Sequence, residues 1–327
     1  MNHPRVTVLM SVYNDQGYLA QAVESILNQS FRDFEFLIID DGSPDPLDAL
    51  HSFSDPRIVV RTQENIGLTR SLNKGIALAR GDFIARMDAD DVSAPQRLEV
   101  QVAELQSHPR LDLVGSSFDV VDAEGRLIER KELIIDPVYR LWRLQFHNNY
   151  GHGTVMFRKK AVMNIGMYNE DLLYAQDFDL WSRLSNKSNT SVIPEVLYGY
   201  RMIKHSRQTS VKNYDKQLAT AIGISNRSLM ACNPELTEKG CEEVRALYWK
   251  FQLESITYRG IASIAHTLEG FCSRYGINHT EKAGLTSMVV RDVLQELKKS
   301  ENWTDDVRTD LISTFYVASG LAGQANM

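Results

Sequence analysis

The chain has 327 residues, room for about two domains of ordinary size. Lysine and arginine total 36 against 42 acidic residues, a formal charge of −6, which excludes a general nucleic-acid binder because that surface needs a basic excess. Hydrophobic residues at 43% and charged residues at 24% exclude disorder over most of the length.

Residues 6–10 form an apolar run that ends in the polar turn Tyr13-Asn14-Asp15-Gln16-Gly17. Leu19, Val23, Ile26 and Leu27 follow at spacings of three and four and predict a helix. Residues 34–39 are a second run, stopped by Asp40-Asp41-Gly42-Ser43-Pro44. Residues 58–60 predict a short third strand and 68–79 a second helix. A fourth run, 83–87, is stopped by Asp88-Ala89-Asp90-Asp91. Near-continuous apolar strands alternating with helices indicate βαβ units and a mostly parallel sheet flanked by helices. Ligands in such sheets bind beyond the carboxyl ends of the strands, where both acidic clusters fall.

A helix is predicted from Pro95 through Leu98, Val102 and Leu105. Strands over 113–121 and 127–135 flank the turn Ala123-Glu124-Gly125, and 155–157 reads as another. Residues 178–184 read as helix, and 192–193 and 196–197 as short strand pieces. Beyond about Ser210 the pattern turns helical, with Leu285, Val289, Val293 and Leu297 as a core-facing stripe. Cys232, Cys241 and Cys272 form neither an even disulfide set nor a CxxC pair, which places them as thiols in a reducing compartment. The first apolar run is too short for a signal segment, and no stretch approaches the roughly 18 apolar residues of a spanning helix. These features predict a soluble, cytoplasmic chain, with peripheral contact at the inner face of a membrane left open.

Three carboxylates in four residues repel one another unless a cation lies between them. Oxygen-only ligands suit Mg²⁺ or Mn²⁺, and such ions add substrate phosphates to one or two carboxylates. The alternative is a solvated acidic loop leading into a helix that starts near Ser93-Ala94-Pro95. Asp41 and Tyr13, at neighbouring strand ends, have the chemistry to bond the edge of a base and to stack on it. Asp41-Gly42-Ser43-Pro44 is equally well composed for a plain turn.

The motifs taken together resemble family 2 glycosyltransferases of the GT-A fold, the inverting enzymes that build bacterial surface glycans. Val8-Leu9-Met10-Ser11-Val12-Tyr13-Asn14 is similar to that family's first strand and nucleotide loop, and Ile38-Ile39-Asp40-Asp41-Gly42-Ser43 to its second-strand signature. Residues 65–73 resemble the loop and helix that follow, and Ile84-Ala85-Arg86-Met87-Asp88-Ala89-Asp90-Asp91 the DxD metal motif. Residues 151–158 resemble the glycine-bearing donor and acceptor loop. Ala175-Gln176-Asp177-Phe178-Asp179-Leu180-Trp181 resembles the xED motif, and Tyr200-Arg201 with His205 the late histidine motif. The matched segments span about residues 6–210.

That resemblance implies a catalytic GT-A domain over residues 1–210 and a helical region over 211–327. It implies a nucleotide site of Ser11, Tyr13, Asp41, Arg70 and Asp88, with Asp41 reading the base and Asp88 near the ribose. Asp90, supported by Asp91 and joined by His205, would hold Mn²⁺ or Mg²⁺. Asp177 would be the catalytic base, and His152, Gly153, Gln176, Trp181 and Arg201 would line the donor or acceptor site. Arg70, Arg86 and Arg201 would be candidates to neutralise phosphate. Two departures stand out: Gln176 replaces the usual Glu, and His205 follows Arg201 by four residues instead of two. His152 is therefore a rival site histidine. The implied partners are a nucleotide-sugar donor, with UDP favoured, and a glycan or lipid-linked acceptor. For the helical region, acceptor closure, homodimer formation and membrane contact all stay open. A nucleotide-sugar-binding module without turnover is the alternative function. A sugar nucleotidyltransferase lacks its Gly-rich, basic triphosphate loop here, and a glycosidase has no use for nucleotide contacts.

Overall fold

The uninterrupted apolar runs fold as adjacent parallel strands: β1 (Val6–Val12), β2 (Phe34–Asp40), β3 (Ile58–Thr62) and β4 (Phe83–Met87). The computed structural model describes residues 3–202, 213–246, 248, 258–297, 309, 313 and 315. The remaining described strands are β5 (Val92–Ser93), β6 (Leu111–Val121), β7 (Leu127–Lys131), β8 (Met156–Arg158) and β9 (Asn189–Arg201). They complete one sheet in the order β3-β2-β1-β4-β8-β6-β9-β5, with β7 added beside β6.

The sheet is mixed, and its parallel part is narrower than the sequence pattern suggests. The β8 strand pairs antiparallel with both β4 and β6, while β6 and β9 run parallel. The two apolar pieces predicted around Pro194 are one strand, with a register shift opposite Ser116 and Ser117 where proline has no N–H to give.

Helices α1 (Leu19–Leu27), α2 (Leu68–Leu78), α3 (Arg97–Ser107) and the short α5 (Lys159–Asn164) lie in the same unit as the parallel strands. Val8, Met10, Phe36, Ile38, Ala85 and Met87 form a core with Leu19, Val23 and Ile26 of α1 and Leu98, Val102 and Leu105 of α3. Strands and helices thus alternate over residues 6–107, as the sequence pattern predicts.

Backbone contacts divide the chain into two compact units: Met1–Ile135 with Asn148–Thr220, and Asp136–His147 with Ala221–Met327. The boundary expected at residue 210 lies outside the described residues. The second unit contains α4 (Pro137–Arg143) and the helices Tyr214–Cys232 (from Ala221), Glu238–Ala246, Tyr258–Tyr275 and His279–Leu297. Asp136 caps α4 by accepting a hydrogen bond from Tyr139 N at 2.7 Å, with Pro137 in the first turn. Trp142 and Phe146 then pack edge-on, and Trp142 also meets Phe271, which ties this short helix to the second unit. Leu285, Val289 and Val293 are buried there, as the stripe predicted.

Candidate active site

Strand register brings the candidate residues to one edge. Met10 pairs with Ile38 on one side and Met87 on the other, so Ser11, Asp40, Asp41 and Asp88 emerge together. Asn14 N donates to Ser43 Oγ at 3.0 Å and joins the first two loops. Tyr13 stands 54% exposed and Ser11 is half-buried.

Asp41, expected to read a base, is only 2% exposed. Its Oδ1 accepts from Gln63 Nε2 at 2.8 Å and Ile66 N at 2.9 Å, and its Oδ2 from Gly67 N at 2.9 Å. The carboxylate is spent on closing the loop before α2. Gly42 has a φ of +72°, and a Cβ there would stand 2.6 Å from Asn65 N, so glycine permits this approach. Asp41→Ala would strand the Ile66 and Gly67 N–H groups and is expected to cost about 1–3 kcal/mol of stability by urea unfolding. An unchanged midpoint would overturn the anchoring role.

The acids after β4 divide in the same way. Asp91 is 1% exposed and accepts from Arg201 N at 2.7 Å and Tyr198 Oη at 2.8 Å. Burial pushes its carboxyl upward and the charge of Asp90 adds to that, while those two bonds oppose. Arg201 Nε donates to the Asp90 carbonyl at 2.9 Å, and its Nη2 donates to Gln21 Oε1 at 2.6 Å. Asp88 is ion-paired with Arg86, whose side chain is 3% exposed. Asp90 is half-buried, and its carboxylate has no hydrogen-bond partner among the described residues.

A cavity of about 560 Å³ lies within the first unit, walled by residues 66–70, 152, 170, 173–177 and 217. Asp177 reaches it from the first turn of α6 (Gln176–Ser185), a helix that starts directly after Ala175, whose φ is +51°. Asp177 Oδ1 accepts from Phe178 N at 2.9 Å and Oδ2 from Asn148 Nδ2 at 2.7 Å. Burial raises its carboxyl above the ordinary aspartate range, against the Phe178 N–H, the Arg86 charge and the Asn148 amide. Glu170, also on the wall, is engaged by Asn73 Nδ2 at 3.0 Å and by Arg70 Nε at 3.4 Å. His152 Nε2 lies 2.8 Å from Tyr168 Oη, and burial with the Arg86 charge holds its imidazole well below the usual range, hence neutral.

The glycosyl transferase family 2 profile matches residues 7–166. The O-antigen biosynthesis glycosyltransferase WbnJ of Escherichia coli is 31% identical over 221 residues, covering 64% of this chain and 84% of that protein. The chain belongs to family 2 of the glycosyltransferases. The fold agrees with solved structures of more distant proteins. Staphylococcus aureus TarS 1–349, in complex with UDP-GlcNAc, has a TM-score of 0.59 at 16% identity, covering 98% of this chain and 92% of its own. A mannosyltransferase from Pyrobaculum calidifontis, in complex with GDP-Man and Mn²⁺, has a TM-score of 0.55 at 14% identity, covering 100% of this chain and 89% of its own.

In this family 2 glycosyltransferase the cavity brings together Arg70, His152, Gln176 and Asp177, while Ser11, Tyr13, Asp88 and Asp90 are not among its lining residues. Four expectations change. Asp91 leaves the metal set because both its oxygens are already bonded in a buried place. Arg201 leaves the phosphate set because it is 1% exposed and clamps the acidic turn through its bonds to Asp90, Asp91 and Gln21. Trp181 is fully buried against Tyr168, His152 and Phe157, so it supports the cavity floor instead of facing a ligand. Gly153 lines no wall either; a Cβ there would collide with the Tyr198 hydroxyl. His205 lies outside the described residues.

Among the described residues no three His, Cys, Asp or Glu side chains converge to hold a metal alone. The residues still fit an oxygen-seeking ion, because Asp90 offers an unengaged carboxylate and such ions complete their shell with phosphate oxygens and water. Asn148 and Tyr168 were missed in the sequence because their roles come from partners far along the chain.

Proposed function

We propose that the chain is an inverting transferase that moves a sugar from a nucleotide diphosphate, UDP in the first instance, to a hydroxyl of a glycan or glycolipid acceptor. Synthesis of a surface polysaccharide is the setting suggested by its O-antigen relative. The observation that carries this reading is Asp177. Among the described residues it is the cavity carboxylate without a salt-bridge partner, whereas Glu170 is taken up by Arg70 and Asn73.

A single base is sufficient for inversion, which is one in-line displacement at the anomeric carbon. Asp177 takes the acceptor proton at its carboxylate, and the neutral His152 on the same cavity wall adds no competing positive charge. Tyr13 and Ser11 meet the base and ribose, and Asp41 acts through the loop it closes. Mn²⁺ or Mg²⁺ held by Asp90, with His205 as a further ligand, would supply positive charge to the departing diphosphate. Arg70, exposed on the wall and 3.4 Å from Glu170, would exchange that partner for a donor phosphate.

The test is a panel of UDP- and GDP-sugars, each with Mn²⁺ or with EDTA, read by thermal unfolding and by release of nucleoside diphosphate. The matching donor at a hundredfold excess over Kd should add about 2.7 kcal/mol of apparent stability with Mn²⁺, and it should be consumed. Stabilisation without consumption would favour a binding module instead, and no response from any donor would overturn the reading.

A further inference from the structure

We propose that Asn148 is the positioning residue of the base, fixing the Asp177 carboxylate in its ionised form with one oxygen turned to the cavity. This rests on the reading of Asp177 as base. The amide of Asn148 has only one workable orientation. Its Oδ1 accepts from Tyr150 N at 3.0 Å, so Nδ2 is the end that faces Asp177 Oδ2, at 2.7 Å. Tyr150 is itself anchored, its ring buried and its hydroxyl donating to Thr190 Oγ1 at 2.8 Å. The chain Thr190, Tyr150, Asn148, Asp177 therefore runs from β9 to the cavity through directed hydrogen bonds.

The two bonds to Asp177 have different effects. Phe178 N is on the adjacent residue and holds Oδ1 wherever α6 goes. Asn148 comes from another segment and sets the rotation of the carboxyl relative to the cavity. An amide N–H to a carboxylate is charge-assisted and stabilises only the ionised form in this way. The charged and titratable groups around Asp177 are Arg86 on β4, Tyr168 and His152 beside one another, and Arg70 with Glu170 on the wall. Arg86 is the cation among these that also favours the ionised base, and it is already paired with Asp88. Asn148 is thus the neutral contribution to the same end.

The experiment uses the full chain labelled with ¹³C at aspartate carboxyls. The resonance missing from D177N identifies Asp177, and its titration is followed in wild type, N148D and N148A. N148D keeps the side-chain volume and the acceptor for Tyr150 N while removing the donor to Asp177. Both variants should raise the Asp177 midpoint by about 1–2 pH units, N148D more than N148A because it adds a like charge. The acid limb of UDP-sugar turnover with Mn²⁺ should move by the same amount, with donor KM within threefold of wild type. A midpoint within 0.3 unit (roughly a twofold change in proton affinity) of wild type in both variants would overturn the proposal. Retained turnover in D177N would instead overturn the reading of Asp177 as base, while leaving the titration result intact.

Discussion

Asp177→Asn is expected to lower donor turnover by about 10²- to 10⁴-fold, the range that one general base supplies, while leaving donor affinity within threefold. The amide is isosteric, so Phe178 N keeps an acceptor and α6 keeps its first turn. Packing beneath the site does not change either, since Trp181 and Phe178 are buried independently of the charge. What disappears is the capacity to accept the acceptor's proton, together with the bond from Asn148 Nδ2, which then faces an amide N–H₂. The pH dependence follows from the direction of the shift. Burial raises the Asp177 carboxyl, so the wild-type rate should fall on an acid limb lying above the ordinary aspartate value of about 3.9. Below that limb the base is protonated and the rate drops about tenfold per pH unit; D177N should show no such limb. Calorimetric binding of the donor with Mn²⁺ beside the rate profile separates the possibilities. Equal loss of binding and turnover would make Asp177 a structural residue.

The sequence made β1, β2 and β4 readable because each is a continuous apolar run, as a strand covered on both faces must be. It did not reveal the order β8-β6-β9, because those pairings depend on partners distant in the chain and the register shift near Pro194 splits one strand into two apparent pieces. The allegiance of α4 was hidden for a similar reason. Its Asp136-Pro137 start is a local signal, but Trp142 becomes a member of the second unit only through Phe271.

The candidate site was legible as a set of residue types and less so as a set of roles. Asp41, Asp90 and Asp91 look alike as letters. What distinguishes them is which lone pairs are already taken. Gln63 and the loop N–H groups take those of Asp41, and Tyr198 with Arg201 N takes those of Asp91. Arg201 shows the same point for a cation, since a guanidinium turned inward to carbonyls is not available to phosphate.

That difference sets up the second large effect, a contrast between two neighbouring acids. Asp90→Asn is expected to abolish the Mn²⁺-dependent part of donor stabilisation and to reduce turnover by about 10²-fold or more, as removal of preorganised charge stabilisation at a leaving group does. Its folding stability should stay within about 0.5 kcal/mol of wild type, because a half-buried carboxylate without a partner among the described residues has no bond to lose. Asp91→Asn should do the reverse. One of its two oxygens becomes an amide N–H₂ facing either Tyr198 Oη or Arg201 N, in a place that is 1% exposed. Stranding a buried donor costs about 1–3 kcal/mol, and the turn that carries Asp90 loosens with it, so any loss of metal response in this variant should come with a lower urea midpoint. Measuring the urea midpoint and the Mn²⁺ response on both proteins distinguishes a ligand from a scaffold. An Asp90→Asn protein that unfolds early, or an Asp91→Asn protein of unchanged stability, would show that the two roles have been exchanged.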